Sequence, residues 1–213
     1  MTREEVVRYH AWYATPRGAW MAACELALLR DLLHPEPEER LLDVGCGTGF
    51  FSSQFADWGL HVTGLDPDSA RLDFARQHDQ RIDWLVGQAE TLPFADAQFD
   101  YAAAITSLCF VARPAQALQE LWRVSRRAVI LGLLHRHSLL WWHKRHALGY
   151  RGARWDTLAD VRTWAKALQP APQLAWRYGI FEPSASGFAQ IVESRLSPRL
   201  PLGGFLAVAW RRT

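Results

Sequence analysis

The chain has 213 residues, of which 49% are apolar, enough for a hydrophobic core and too many for a chain that is mainly disordered. Its 24 Lys+Arg against 22 Asp+Glu leave a net charge of +2, so no polyanionic partner is implied. Three cysteines, Cys24, Cys46 and Cys109, exclude a disulfide framework; no apolar run reaches the roughly 20 residues of a membrane-spanning helix, and the opening MTREEVVRYHAWYATPRGAW lacks a signal peptide's apolar block.

The expectation is therefore a cytoplasmic protein of one domain over residues 1–213. Residues 3–13 read as a short helix. A second helix follows Thr15-Pro16, with Thr15 as N-cap and Pro16 at the first helical position. Its spacing places Met21, Cys24, Leu28 and Leu32 on one face. The segment HPEPEE then interrupts the pattern.

An alternation of strands and helices comes next. Strands are predicted at 40–44, 60–65, 82–86, 99–106 and 128–134. Helices are predicted at 48–58, 68–78 and 114–124. Strands separated by helical stretches mean βαβ units and a parallel sheet with right-handed connections. Beyond residue 134, helices are expected at 138–148 and 156–168. Two further strands are expected at 174–180 and 205–211, joined by a long Ser/Pro/Gly-rich segment, giving seven strands in all.

The informative segment is Leu41-Leu42-Asp43-Val44-Gly45-Cys46-Gly47-Thr48-Gly49-Phe50. Its glycines sit where a strand turns into a helix, so the backbone can take positive φ and a ligand can approach closely. The following helix offers free N–H groups. In open α/β sheets, ligands bind outside the carboxyl ends of the strands, which is where this turn lies. The G-x-G-x-G pattern lacks the last glycine of the dinucleotide fingerprint, because Phe50 occupies that position. There is no phosphate-binding G-x-x-x-x-G-K-[ST] either.

Asp66 ends the second strand about 20 residues later, where a carboxylate can accept both hydroxyls of a ribose. The alternative is that Asp66 caps the next helix. After the third strand, Gly87-Gln88-Ala89-Glu90-Thr91-Leu92-Pro93-Phe94 places a polar side chain across the crevice from Asp66. Gln88 can bond an adenine edge while Ala89 leaves room for the ring.

With LLDVGCGTG, LDPD, GQAETLPF and FDYAAAITSLCFV in that order, the chain resembles a class I S-adenosylmethionine-dependent methyltransferase. The group in question includes small-molecule enzymes of the ubiquinone and menaquinone biosynthesis type. The resemblance covers 40–134 well, 1–39 as a helical cap, and 135–213 only in outline. It implies a Rossmann-like α/β fold, mostly parallel, with strand order 3-2-1-4-5-7-6 and helices on both faces. Residues 1–39 would form the N-terminal helical cap, 40–134 the cofactor-binding core, and 135–213 the substrate-side part.

The resemblance also implies site roles. Gly45, Cys46 and Gly47 would pass beneath the methionine and ribose of S-adenosylmethionine, with Asp43 under that turn. Asp66 would hold the ribose hydroxyls and Pro67 would lie near the adenine. Gln88 and Ala89 would flank the adenine. Ile105 or Thr106 would face the methionine moiety. Asp is often found where Gln88 stands, but a Gln carbonyl oxygen can still accept from an adenine amine.

Methyl transfer from a sulfonium depends mostly on proximity, alignment and water exclusion, so no single residue marks the catalyst. Acceptor-side candidates are Tyr9, His10, Trp12, Tyr13 and Trp20 near the start, and Ser107, Cys109 and Phe110 after the fourth strand. A third group, His135, Arg136, His137, Trp141 and Trp142, follows the fifth. His135, Tyr9 and His10 lead as proton-handling groups. The alternative for Trp12, Trp20 and Cys109 is packing. His135, His137, His143 and His146 do not read as a metal site, because no Cys lies near and Arg and Lys are interleaved.

Residues 121–155 hold eight Arg/Lys and no Asp or Glu, with Trp141, Trp142, Tyr150 and Trp155 among them. Such a stretch suits RNA or an anionic surface, or else a solvated rim. The near-neutral chain and the lack of a D/N-P-P-Y/F/W sequence disfavour nucleic acid. The expected function is methyl transfer from S-adenosylmethionine to a small molecule, leaving S-adenosylhomocysteine. The alternatives are a nucleic-acid methyltransferase using 136–154 and a non-catalytic S-adenosylmethionine-binding protein.

Overall fold

The structure, a computed structural model, describes residues 2–212. Two helices open the chain: α1 (Arg3–Ala11) and α2 (Pro16–Leu33), joined by a 3₁₀ turn at Trp12–Ala14. α1 starts at a capping box in which Thr2 Oγ1 accepts from Glu5 N and Glu5 reaches back to Thr2 N. α2 starts as expected, with Thr15 Oγ1 accepting from Gly18 N at 3.0 Å and Pro16 in the first turn.

The central sheet has seven strands in the order β3-β2-β1-β4-β5-β7-β6. They are β1 (Arg40–Val44), β2 (His61–Asp66), β3 (Asp83–Val86), β4 (Phe99–Ile105), β5 (Ser125–Leu134), β6 (Gln173–Gly179) and β7 (Phe205–Arg211). β7 runs antiparallel to both β5 and β6, and the other pairs are parallel. The helices between and after them are α3 (Phe50–Asp57), α4 (Ser69–His78), α5 (Pro114–Val124), α6 (Leu139–Lys144), α7 (Leu158–Ala165) and α8 (Gly187–Arg195). This is the Rossmann-like architecture and strand order expected from the sequence.

Each face of the sheet has its own core. Leu118, Leu121 and Trp122 of α5 and Val161 and Ala165 of α7 cover one face. Leu29 and Leu32 of α2, Phe51 and Phe55 of α3 and Leu72 of α4 cover the other. Every residue of β4 is buried, as the central strand of a sheet covered on both sides must be. The chain runs from β1 outward through β2 to β3, then returns to place β4 on the other side of β1. The chain leaves β1 for α3 on one face and β4 for α5 on the other, so the carboxyl ends of β1 and β4 mark a topological switch point, where open α/β sheets form their ligand crevice.

Three expectations need correction. The inward face of α2 is Met21, Ala22, Glu25, Leu29, Leu32 and Leu33, while Cys24 and Leu28 are only half-buried. The face read from apolar spacing did not include Glu25, which the helix turns in. The stretch expected as one helix over 138–148 is a six-residue helix, α6, followed by a 3₁₀ turn at Leu148–Tyr150. The Ser/Pro/Gly-rich connection contains α8, which begins where Ser186 Oγ accepts from Ala189 N.

Candidate active site

The glycine turn is latched to the neighbouring strand. Gly45 N and Cys46 N both donate to Leu65 O, at 2.7 and 3.1 Å, at the end of β2. Gly45 has φ +74° and Gly47 φ +57°, so the turn uses the left-handed region at both glycines. A Cβ on Gly47 would meet nothing within 4 Å: the space above the turn is open. A Cβ on Gly45 would lie 2.4 Å from the Ser107 Cβ, while Ser107 Oγ donates to Val44 O at 2.8 Å. Gly45→Ala is therefore expected to destabilise the fold by roughly 2–3 kcal/mol through positive φ and overpacking together. A fall of several degrees in Tm would be seen by thermal unfolding, and an unchanged Tm would contradict this packing.

Asp66 is 2% exposed. Its Oδ2 accepts from Gly47 N and its Oδ1 from Asp68 N, both at 2.9 Å. Arg71 lies 3.9 Å from Oδ2. Capping of α4 falls to Asp68, whose Oδ1 accepts from Ala70 N and Arg71 N. The capping role considered for Asp66 is thus taken by its neighbour. An ionised carboxylate offers about four lone-pair directions, so Asp66 retains acceptor capacity beyond its two backbone bonds.

These groups open onto a cavity of about 910 Å³. One half is walled by the turn residues Gly45–Thr48, by Asp66, Pro67 and Arg71, and by Gln88, Ala89 and Glu90. The ends of β4 and β5 contribute Ile105, Thr106 and Leu134. The other half is walled by Tyr9, Trp12, Tyr13, Met21 and Glu25 of the N-terminal cap, with Phe50, Phe110 and Tyr150. Tyr13 stacks on Phe50 with centroids 3.8 Å apart and rings nearly coplanar in orientation (5°), which closes the cap onto α3.

Of the residues singled out for cofactor contact, Gly45, Cys46, Gly47, Asp66, Pro67, Gln88, Ala89, Ile105 and Thr106 all line this cavity. Asp43 does not. It points to the other side of β1, where Ser52 Oγ donates to its Oδ2 at 2.6 Å, and burial pushes its carboxyl up to about 7. That position beneath the turn makes it a support of the α3 start.

The proton-handling candidates divide. Tyr9 lines the cavity, with its hydroxyl 3.4 Å from that of Tyr13. His10 stands behind the wall: its Nδ1 is 3.1 Å from Thr48 Oγ1 and its ring packs on Phe74 and His78. His135 is a correction. Leu134 faces the cavity, and alternation along the strand turns His135 to the opposite side. There it is 3% exposed, with Nδ1 2.8 Å from Gly203 O and its ring against Tyr178. Burial holds both imidazoles below their usual range.

The basic stretch is largely engaged with its own chain. Arg154 pairs with Asp156 and lies over Trp164, and Arg136 lies 3.4 Å from Asp160. Arg145 sits over both Trp141 and Trp142. Among the described residues, no group of three or more His, Cys, Asp or Glu side chains gathers as a metal site.

The family model described as a methyltransferase domain matches residues 42–131. A malonyl-[acyl-carrier protein] O-methyltransferase of Serratia marcescens is 40% identical over 90 residues, 42% of this chain and 35% of that protein. A biotin biosynthesis bifunctional protein of Cellvibrio japonicus is 49% identical over 86 residues, 40% of this chain and 17% of that protein. The matched stretches thus span well under two thirds of these relatives' own lengths. Over nearly the whole fold, this chain is similar to a solved Thermotoga maritima structure, titled as an SAM-dependent methyltransferase and possible histamine N-methyltransferase. The TM-score is 0.78 at 24% identity, covering 99% of this chain and 97% of that one.

Proposed function

We propose, from the match of residues 42–131 to the methyltransferase-domain family model, that this chain is an enzyme transferring a methyl group from S-adenosylmethionine to a small molecule. The observation that carries the reading is the continuity of one cavity from the Asp66 carboxylate, past the open glycine turn, to the aromatic cap. About 910 Å³ is within the range of small-molecule sites and leaves room for an acceptor beside a nucleoside cofactor.

The cradle fits that cofactor. Asp66 has lone pairs to spare for two ribose hydroxyls, the most directional demand the ligand makes. Gln88 and Ala89, which line the same cavity, would take an adenine edge and face, and Pro67 would flank them. Gly47 leaves its space free for the sugar and the methionine chain. Ile105 and Thr106 close the inner wall. When bound, the cofactor supplies an electrophilic methyl on a sulfonium. The chain's own residues supply position and dryness: Trp12, Tyr13 and Phe50 exclude water and hold the acceptor in line.

A small acceptor fits better than a nucleic acid. Three of the arginines that would form a phosphate-binding stretch, Arg136, Arg145 and Arg154, are already occupied by carboxylates or indole rings. We read residues 1–213 as one working unit and, with Cys24, Cys46 and Cys109 all unpaired, assign it to the cytoplasm. The test is transfer of labelled methyl from S-adenosylmethionine into a metabolite extract. Label in the small-molecule fraction is expected. Binding of the cofactor with no label in any fraction would overturn the catalytic reading.

A further inference from the structure

Glu25 is the one feature of the cavity that its neighbours do not explain. It lies in the middle of α2, lines the acceptor half, and is only 8% exposed. Among the described residues, no hydrogen bond or ion pair reaches its carboxylate. A carboxylate buried without a partner is a standing cost to the fold. Leucine or glutamine would suit a purely structural position on this helix better.

Its surroundings specify what would satisfy it. Tyr13 and Tyr150 line the same cavity from two different segments, and Tyr9, Trp12 and Phe110 complete an aromatic wall. Among the described residues, Arg71 is the only cationic one lining the cavity, and it stands on the other half beside Asp66. Ring faces and a carboxylate both attract positive charge, and both do so more strongly where water is excluded. Resting on the proposed methyltransferase reading, we propose that the acceptor is a small organic amine that enters as an ammonium ion, and that Glu25 is the group that pairs with it. Before transfer the ammonium gives one proton to the Glu25 carboxylate; the freed nitrogen lone pair forms the N–CH3 bond as the S–CH3 bond breaks, leaving S-adenosylhomocysteine. The aromatic wall would take the apolar body of the same molecule.

Burial alone pushes the Glu25 carboxyl up to about 8, so in the empty cavity near neutral pH it is mostly protonated. Binding an ammonium ion then releases that proton. The other titratable groups facing it stay neutral in this range: burial raises Tyr13, Tyr150 and the neighbouring Cys24 thiol. Arg17 and Glu193 act on Tyr150 and Cys24 respectively and contribute nothing to Glu25 itself. Amine affinity should therefore climb by close to tenfold per pH unit between about pH 6 and 8, as a one-proton exchange requires.

The experiment is calorimetric titration of the protein saturated with S-adenosylhomocysteine, using two matched sets: phenethylamine, phenethyl alcohol and phenylacetate; butylamine, butanol and butyrate. At least one amine should bind ten times tighter than its alcohol and acid, with the stated pH slope. Glu25→Gln should abolish that preference and the slope while leaving S-adenosylhomocysteine affinity within twofold. Glu25→Asp, which keeps the charge, should retain the preference in weaker form. Equal binding within each set, or an amine preference that survives in Glu25→Gln, would overturn the proposal. Repeating the titrations without S-adenosylhomocysteine separates the two readings. Loss of cofactor binding alone would sink the methyltransferase reading, and the amine preference would still report on Glu25.

Discussion

Asp66→Ala is expected to lower affinity for S-adenosylhomocysteine by two to three orders of magnitude. The carboxylate is 2% exposed, lines the cavity, and is held still by Gly47 N and Asp68 N. A ribose with both hydroxyls on such an acceptor makes two charge-assisted bonds, together worth about 3–4 kcal/mol, and each 1.4 kcal/mol is about tenfold in affinity. Part of the loss in the alanine variant would come from the turn itself, since Gly47 N also loses its acceptor. Asp66→Asn keeps the shape and one carbonyl oxygen, but it sets an NH2 donor against either Gly47 N or Asp68 N, each of which needs an acceptor. It should therefore unfold below the wild-type temperature and bind at least tenfold more weakly. Calorimetry with each variant reads this directly. Affinity within threefold of wild type in Asp66→Ala would remove the ribose role.

The second large effect concerns stability and has the opposite sign from most active-site substitutions. Glu25→Gln is expected to stabilise the protein near neutral pH and above. In the unfolded chain the Glu25 carboxyl ionises near its ordinary value of 4.5; in the fold, burial holds its proton until about pH 8. Between those values the unfolded state has released a proton that the folded state still carries, so stability falls as pH rises. Below pH 4 both states are protonated and the penalty vanishes. At pH 7 it is on the order of 3 kcal/mol. For a chain of this size that corresponds to roughly 5–10 °C in Tm.

Asp43, raised to about 7 by burial, contributes a trend of the same direction over a lower window. The comparison must therefore be between wild type and Glu25→Gln at each pH. The difference should be near zero at pH 4 and grow up to about pH 8. A variant destabilised equally at every pH would show that Glu25 has a structural partner after all.

Legibility followed local chemistry. The glycine turn, the strand before it and the place of Asp66 at the end of β2 could be read because the backbone demands there leave few alternatives. Thr15-Pro16 marked the start of α2 for the same reason. Helix α8 was missed because Ser/Pro/Gly composition outweighed the single cap signal of Ser186. The strand read over 128–134 begins three residues earlier, at Ser125, Arg126 and Arg127. They pair at the sheet's exposed end, with Arg126 reaching Asp100 and Arg127 reaching Glu39.

Two failures at the site share a cause. His135 was favoured because histidine at a strand end suggests chemistry, but strand alternation decides which way it points, and register could not be fixed to one residue. Glu25 was overlooked because an apolar stripe reads any charge as solvent-facing. The signal was available in one form: Met21, Ala22, Leu29, Leu32 and Leu33 make a better apolar face than Met21, Cys24, Leu28 and Leu32, and Glu25 lies within it. A charge inside an otherwise apolar stripe is a place where local consistency breaks, and such breaks mark functional positions.

The proposed function rests on a nucleoside sulfonium lying over Gly45–Thr48 with its sugar on Asp66. A crystal structure of the S-adenosylhomocysteine complex tests this most directly. Both ribose hydroxyls are expected within hydrogen-bonding distance of the Asp66 carboxylate, with the sulfur directed toward the Glu25 half of the cavity. A ribose anchored by another group, or a ligand seated away from the glycine turn, would contradict it.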